Sequence, residues 1–231
     1  MFNFSLIIPA FNESKNIINL IEEINSNLNE KEYNFEIIVI DDASTDNTKD
    51  LLINKKLQLN NLIIITNQNN KGQSYSINIG IQKSTFNNIV TIDGDGQNDP
   101  SDIPKLIELY ESNKNIKLVA GIRKKRQDTK IKKISSLVAN KIRKRILNDG
   151  CDDTGCALKI FDKNIFLSFE FFNGIHRFLP ALYNGFGYKI SFVDVNHRYR
   201  KYGISKYGIL NRLFKGIYDM IKVYFIINKK L

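Results

Sequence analysis

An α/β fold with a mostly parallel sheet covered on both faces is predicted by three observations. Short β-branched runs alternate with segments of helical apolar spacing through the first half of the chain. The 231 residues can bury a sizeable core as one main domain plus an appendage, with no disulfide or metal needed to fold. The composition, 42% hydrophobic and 25% charged with 4 Pro and 13 Gly, is ordinary and globular, which excludes collagen-like, low-complexity and disordered classes.

In chain order, Ser5–Ile8 reads as a buried strand. Lys15–Leu28 follows as a helix, with Ile17, Ile18, Leu20, Ile21, Ile24 and Leu28 at helical spacing. Phe35–Ile40 is a second strand, Thr48–Leu57 a short helix, Leu62–Thr66 a third strand and Gly72–Gln82 a helix. Ile89–Ile92 is a strand, Pro100–Ser112 a helix with proline in its first turn, and Ile116–Gly121 a strand. The second half differs. Ile131–Leu147 carries Ile131, Ile134, Val138, Ile142 and Ile146 between Lys and Arg, the pattern of a basic amphipathic helix. Leu158–Ile160 and Tyr188–Asn196 read as strands, and Ile209–Asn228 as a final amphipathic helix. The organisation is one domain over residues 1–208 and a C-terminal helix over 209–231. No internal repeat or Pro/Gly/Ser-rich linker interrupts it.

The net charge of +10 is concentrated. Between Arg123 and Arg145 stand eleven Lys or Arg and one acid, Asp128, so this window holds the whole excess and the rest of the chain is neutral. Such a block suits one anionic partner: nucleic acid, lipid headgroups or a phosphorylated substrate. No secretory signal opens the chain and no apolar run approaches the ~18 residues of a spanning helix, so membrane contact is expected to be peripheral. Cys151 and Cys156 cannot build a disulfide framework and form no C-x-x-C pair, which favours reduced cytosolic thiols.

Ligands of parallel α/β sheets bind beyond the carboxyl ends of the strands. Three such ends are acidic or polar here: Pro9-Ala10-Phe11-Asn12-Glu13, Asp41-Asp42-Ala43-Ser44-Thr45-Asp46 and Asp93-Gly94-Asp95-Gly96-Gln97. Asp93-Gly94-Asp95 can place two carboxylates on one side of a turn, to share Mg²⁺ or Mn²⁺ with phosphate oxygens. A solvated turn is the plain alternative, because Asp and Gly favour turns, but the position at a strand end and the two other polar ends weigh against it. An EF-hand is excluded by Asn98 and Pro104 at the positions of its glycine and bidentate glutamate, and no dinucleotide or P-loop glycine motif is present.

With Asn69-Asn70-Lys71-Gly72 these motifs resemble the inverting family 2 glycosyltransferases, within that family most closely the dolichol-phosphate mannose synthase group of polyprenyl-phosphate sugar transferases. Asp153-Thr154-Gly155-Cys156, Gly174-Ile175-His176-Arg177-Phe178 and the segment His197–Tyr207 extend the resemblance over about residues 4–210. It implies a Rossmann-like, nucleotide-sugar-binding domain of GT-A type. Pro9, Phe11, Glu13, Ile40 and Asp42 match positions that hold the donor's base and ribose, with Phe11 replacing the frequent Tyr. Asp93, Gly94, Asp95 and Gln97 match the metal and diphosphate site, Asp93 and Asp95 being the metal ligands. His176 matches a position that carries a cation near the donor phosphates, and Arg200, Ser205 and Lys206 a loop that closes over them. Arg123, Lys132 and Ser136 match the grip on the lipid phosphate, with Lys132 in place of an arginine and so without bidentate contact. Asp95, Gln97 and Arg123 are implied as the catalytic residues.

The resemblance thus implies metal-dependent, inverting transfer of a sugar, mannose from GDP-mannose by subgroup, to dolichyl or undecaprenyl phosphate at the cytoplasmic membrane face. The implied partners are a nucleotide-sugar donor, a polyprenyl phosphate, an anionic membrane surface and a separate membrane protein. A phosphate monoester acceptor is largely anionic near neutrality, its second pKa being ~6, and needs no strong general base. A UDP-sugar enzyme that extends a glycan is the second enzyme reading, though processive members carry Q-x-x-R-W and this chain has no Trp. A nucleic-acid-binding module is the reading of another class. It leaves three acidic strand ends unexplained and lacks an aromatic-rich surface beside the basic block, so no nucleic acid is expected.

Overall fold

The computed structural model describes residues 1–29, 33–124, 140–200 and 209–229, with the backbone alone over 209–214. A seven-stranded sheet is ordered β3-β2-β1-β4-β6-β5-β7. Strands β1 (Asn3–Ala10), β2 (Asn34–Asp41), β3 (Leu62–Thr66) and β4 (Asn88–Thr91) are mutually parallel. β6 (Lys159–Asp162) runs antiparallel between β4 and β5 (Ile116–Arg123), and β7 (Lys189–Val195) lies parallel to β5 at the edge. The reversed strand has a functional consequence. The segment leading into the start of β6 reaches the same rim as the carboxyl ends of β1, β2, β4 and β5, where the acidic motifs sit.

The inner strands β1, β2 and β4 are buried on both sides, so they read as near-continuous apolar runs. Leu6, Ile8, Ile37 and Val39 face one layer, with Ile17, Leu20, Ile21 and Ile24 of α1 (Ile17–Asn29), Leu52 of α2 (Thr48–Lys56) and Ile103, Leu106 and Ile107 of α4 (Ile103–Glu111). Ile7, Ile38 and Ile40 face the other layer, with Ile77 and Ile81 of α3 (Gln73–Lys83). Gly80 lets α3 lie close on the sheet, since a Cβ there would stand 2.6 Å from Ile40 Cδ1 and 2.8 Å from Ile7 Cγ2.

The alternation foreseen over residues 5–121 is present, with boundaries shifted by a few residues. The predicted helix at Pro100 begins as a 3-10 turn over Pro100–Asp102, capped by the Asp99 carboxylate accepting from Ser101 N at 3.0 Å. Two helices were not foreseen: α6 (Lys163–Ser168) and α7 (Leu179–Gly185). They have six and seven residues, too short to show a helical period. The described part of the basic helix covers residues 140–147 (α5). Lys132 and Ser136 lie outside the described residues, as do Ser205 and Lys206. The final helix, α8 (Ile209–Asn228), has the predicted bounds. It docks through Val223 and Met220 beside α7 and through an Arg177 Nη2–Asp219 Oδ2 ion pair of 2.7 Å.

Candidate active site

The first two strand ends are stapled to each other. Asn12 N donates to Ser44 Oγ at 2.9 Å, and Thr45 N donates to Asn12 Oδ1 at 2.7 Å. Glu13 N donates to Thr48 Oγ1 at 2.9 Å, and Ser14 N to Asp46 Oδ2 at 3.2 Å. Asn12 and Ala43 adopt positive φ of 56° and 60° at these corners. A non-glycine residue is held in that region only when its surroundings over-determine it. Much of the Asp41–Asp46 motif is therefore scaffold.

Asp41 and Asp42 have different tasks. Asp42 is buried and accepts from Asn67 Nδ2 at 2.7 Å, Lys71 N at 2.9 Å and Gly72 N at 2.7 Å. It fastens the turn into α3, where Gly72 takes a φ of +86° suited to glycine. Asp41 accepts from Ser44 N at 3.1 Å through Oδ1, while its buried Oδ2 has no hydrogen-bond partner. An unpaired buried acceptor costs about 1–3 kcal/mol, so it calls for a donor. Asp41 lines a cavity of about 530 Å³ with Ala43, Ser44, Lys49, Thr66, Asn67 and Gln68. Sequence reasoning singled out Asp42 and passed over Asp41. The D-D pair is symmetric in one dimension, and only the fold shows which member turns inward.

At the third strand end Asp93 Oδ1 accepts from Gln73 Nε2 at 2.7 Å, and Asp95 Oδ1 accepts from Gln97 N at 3.1 Å. Burial, then the adjacent Asp95 carboxylate, pushes Asp93 up to about 7, against the opposing pull of Lys159 and Arg123. Gly94 keeps this turn against β1, since a Cβ would meet Pro9 O at 3.0 Å. Arg200 reaches across the site, with Nη2 3.0 Å from Glu13 Oε1 and Nη1 3.6 Å from Asp95 Oδ2. It is delivered by a pinned segment: Asn196 N donates to Asp102 Oδ2 at 2.6 Å, and Arg198 pairs with Glu23 at 2.5 Å and Asp99 at 2.8 Å. Gln97 belongs to the same junction, its carbonyl accepting from Arg198 N at 2.8 Å and its Nε2 donating to Arg198 O at 3.4 Å.

No cluster of three His, Cys, Asp or Glu side chains suited to a metal occurs among the described residues. Two crowded carboxylates fit a hard divalent cation whose remaining ligands are phosphate oxygens and water. Asp93 and Asp95 could hold Mg²⁺ or Mn²⁺ in that manner, which would relieve their mutual repulsion.

His176 closes one flank. Its Nδ1 lies 2.7 Å from Ser74 Oγ, which also accepts from Gly174 N at 2.8 Å. Burial, then Arg177, Lys159 and Lys215, hold the imidazole well below its usual value, a direction that favours its neutral form in the ligand-free site. Arg123, the last residue of β5, is pinned to Asp153. Pro9 and Phe11 are partly exposed at the rim, whereas Ile40 is fully buried and can offer a ligand only its backbone. Within the basic block, Arg143 is buried against Asp149 at 2.5 Å and also donates to Cys151 O, so it is structural.

The family model described as "Glycosyl transferase family 2" matches residues 5–168. The chain belongs to glycosyltransferase family 2. Among curated relatives, a dodecaprenyl-phosphate galacturonate synthase of Rhizobium johnstonii is 35% identical over 98% of this chain and 68% of its own length. An undecaprenyl-phosphate 4-deoxy-4-formamido-L-arabinose transferase of Serratia proteamaculans is 30% identical over 94% of this chain and 66% of its own length. The chain thus spans about two thirds of the length of these relatives. Glucosyl-3-phosphoglycerate synthase of Mycobacterium tuberculosis, solved with Mn²⁺, UDP and glucosyl-3-phosphoglycerate, superposes with a TM-score of 0.72 at 18% identity, over 98% of this chain and 80% of that one. Mannosyl-3-phosphoglycerate synthase of Rubrobacter xylanophilus gives 0.73 at 15% identity, over 100% and 76%. These superpositions establish the GT-A-like fold of this family 2 glycosyltransferase.

Asp42→Ala is expected to act on fold and donor together. It removes the acceptor of three hydrogen bonds, each worth about 1.5–3 kcal/mol when one partner is charged. With partial replacement by water the net loss is about 2–4 kcal/mol, a melting temperature lower by several degrees. Nucleotide affinity falls as well, because the freed turn carries Gln73 and through it Asp93. Melting and UDP calorimetry on the same sample check this. An unchanged melting temperature would return Asp42 to the direct ligand role suggested by the sequence.

Proposed function

We propose that this family 2 glycosyltransferase moves a sugar from a nucleotide-sugar donor onto a polyprenyl phosphate at a membrane surface, with inversion at the anomeric carbon. One observation supports it most. Asp93, Asp95, Arg200 and Arg123 converge on one rim, where acids for a metal–diphosphate unit stand beside cations for phosphates. The 35%- and 30%-identical relatives carry polyprenyl-phosphate names, which supports the acceptor class.

In this reading the cavity at Asp41 takes the donor's base, with Oδ2 accepting from a ring N–H, and Glu13 takes the ribose. Asp93 and Asp95 would hold the divalent cation, which would supply Lewis-acid stabilisation to the departing nucleoside diphosphate. Arg200 and His176 donate to the phosphate oxygens, while Gln97 fixes Asp95 and the arginine-bearing segment. Arg123 meets the acceptor phosphate, with Lys132 and Ser136 as further contacts and Ser205 and Lys206 closing over the donor. The acceptor arrives ionised, so the site lacks need of a strong base.

The sugar is the finer question. Mannose from GDP-mannose is the expectation of the subgroup resemblance, while the relatives' names specify galacturonate and 4-deoxy-4-formamido-L-arabinose. A panel of GDP-mannose, UDP-glucose, UDP-N-acetylhexosamines and UDP-galacturonate against a short polyprenyl phosphate, read by mass spectrometry, decides among them. Transfer to a glycan primer but not to the lipid phosphate would overturn the acceptor assignment in favour of glycan extension.

A further inference from the structure

The Asp153-Thr154-Gly155-Cys156 segment lies on the active rim but has no place in the chemistry described so far. Its contacts converge on one side chain. Arg123 Nε donates to Asp153 Oδ2 at 2.6 Å and Arg123 Nη2 to Asp153 Oδ1 at 2.7 Å, a bidentate fork, and the Arg123 backbone N reaches Oδ2 at 3.3 Å. Both side chains are largely buried, 12% and 5% exposed. Gly155 makes room for the fork. A Cβ there would stand 2.9 Å from Arg123 Nη2 and 3.6 Å from Asp153 Oδ1. Cys156 packs beneath β5, where a Cβ on Gly121 would meet its Sγ at 3.1 Å. The segment is itself anchored to α5: Asn140 Nδ2 donates to Asp152 O at 2.9 Å, and Thr154 Oγ1 to Asn140 Oδ1 at 3.3 Å.

We propose that Asp153 is the positioning residue of Arg123, and that Gly155 is small so that the clamped guanidinium fits. The proposal rests on the reading above, in which Arg123 meets the acceptor phosphate. A planar guanidinium held through Nε and Nη2 has its orientation fixed, so the direction of its remaining edge is set before substrate arrives. The clamp also settles a competition. Asp93 and Asp95 are nearby anions, and an arginine released at the end of β5 would be drawn to them. The Asp153 carboxylate opposes that pull by giving Arg123 a bidentate partner of its own.

The test uses the whole chain, with farnesyl phosphate as probe. In the ¹⁵N spectrum of the ligand-free protein, the Arg123 Nε–H signal is expected to exchange slowly, and Asp153→Asn should remove that protection. Farnesyl phosphate affinity should drop at least about tenfold in Asp153→Asn, as misplacement of a positioned group costs, while UDP affinity stays within about twofold. Gly155→Ala, whose backbone φ is not in the left-handed region, should weaken farnesyl phosphate by pushing the guanidinium aside while the fold is kept. In an Arg123→Gln background Asp153→Asn should cost nothing further. A full additional loss there overturns the proposal, because Asp153 would then act by itself. If Arg123→Gln binds farnesyl phosphate like the unaltered protein, the acceptor reading falls and the proposal with it, a result recognisable because the Nε signal still depends on Asp153.

Discussion

Asp95→Asn should lower sugar transfer by roughly 10²- to 10³-fold, the range seen when a group that stabilises developing charge is removed, and should do so with no loss of stability. Asn has the same shape and keeps an acceptor for Gln97 N, now 3.1 Å from Oδ1. What disappears is the negative charge beside Asp93, which burial first and this neighbouring carboxylate second push up to about 7. Relieving like-charge repulsion favours the folded state, so the melting temperature should hold or rise while activity collapses. Arg200, 3.6 Å from Asp95 Oδ2, keeps its closer partner Glu13 and should stay in place. Asp93→Asn should behave similarly, with Gln73 Nε2 still paired to the amide oxygen. Calorimetry separates the metal role from a general loss: UDP binding to either variant should no longer strengthen when Mn²⁺ is added. Normal transfer by Asp95→Asn would place the reacting centre elsewhere.

The catalytic half of the fold was legible because its inner strands are buried on both faces and its long helices show a clear period. Ile17, Leu20, Ile21, Ile24 and Leu28 leave little ambiguity, and all five are buried. The insertion of β6 between β4 and β5 was not legible, since a four-residue strand carries no sign of its direction. That insertion is what carries the Asp153 segment to Arg123. At the site, the motifs marked the right rim but could not divide labour within it. Ser44, Thr45, Asp46 and Thr48 staple strand ends, Asp42 holds a turn and Asp41 is left with an orphan oxygen at the cavity. The charge window showed a similar limit. Arg143 is a buried ion-pair member and Arg123 is held at the rim by Asp153, so neither of these two of the eleven cations belongs to an open basic surface.

What remains outward in the described part of that window bears on how a lipid acceptor is reached. No helix among the described residues is long and apolar enough to cross a membrane. On α5 the exposed cations are Lys141, Lys144 and Arg145, and among them Ile142 and Ile146 are 50% and 42% exposed one turn apart. That is the arrangement of an interfacial helix: basic residues for headgroups and an apolar edge for the acyl boundary. The helix is fastened to the segment that holds Arg123, so docking it would bring the acceptor-binding rim to the bilayer surface. Each well-placed cation contributes about 1 kcal/mol on an anionic membrane. Lys144 shares its charge with Asp152 at 2.7 Å and contributes less. Reversing Lys141, Lys144 and Arg145 to Glu removes that attraction and adds repulsion, so partitioning onto phosphatidylglycerol vesicles should fall by about 10²-fold or more. The loss should shrink as salt rises, because the attraction decays within a Debye length of about 8 Å at physiological ionic strength. UDP calorimetry should be unchanged, since none of the three residues lines the cavity at Asp41. Vesicle binding that survives the triple reversal would move the contact to α8, where Ile217, Tyr218, Ile221, Tyr224 and Phe225 form another exposed apolar stripe.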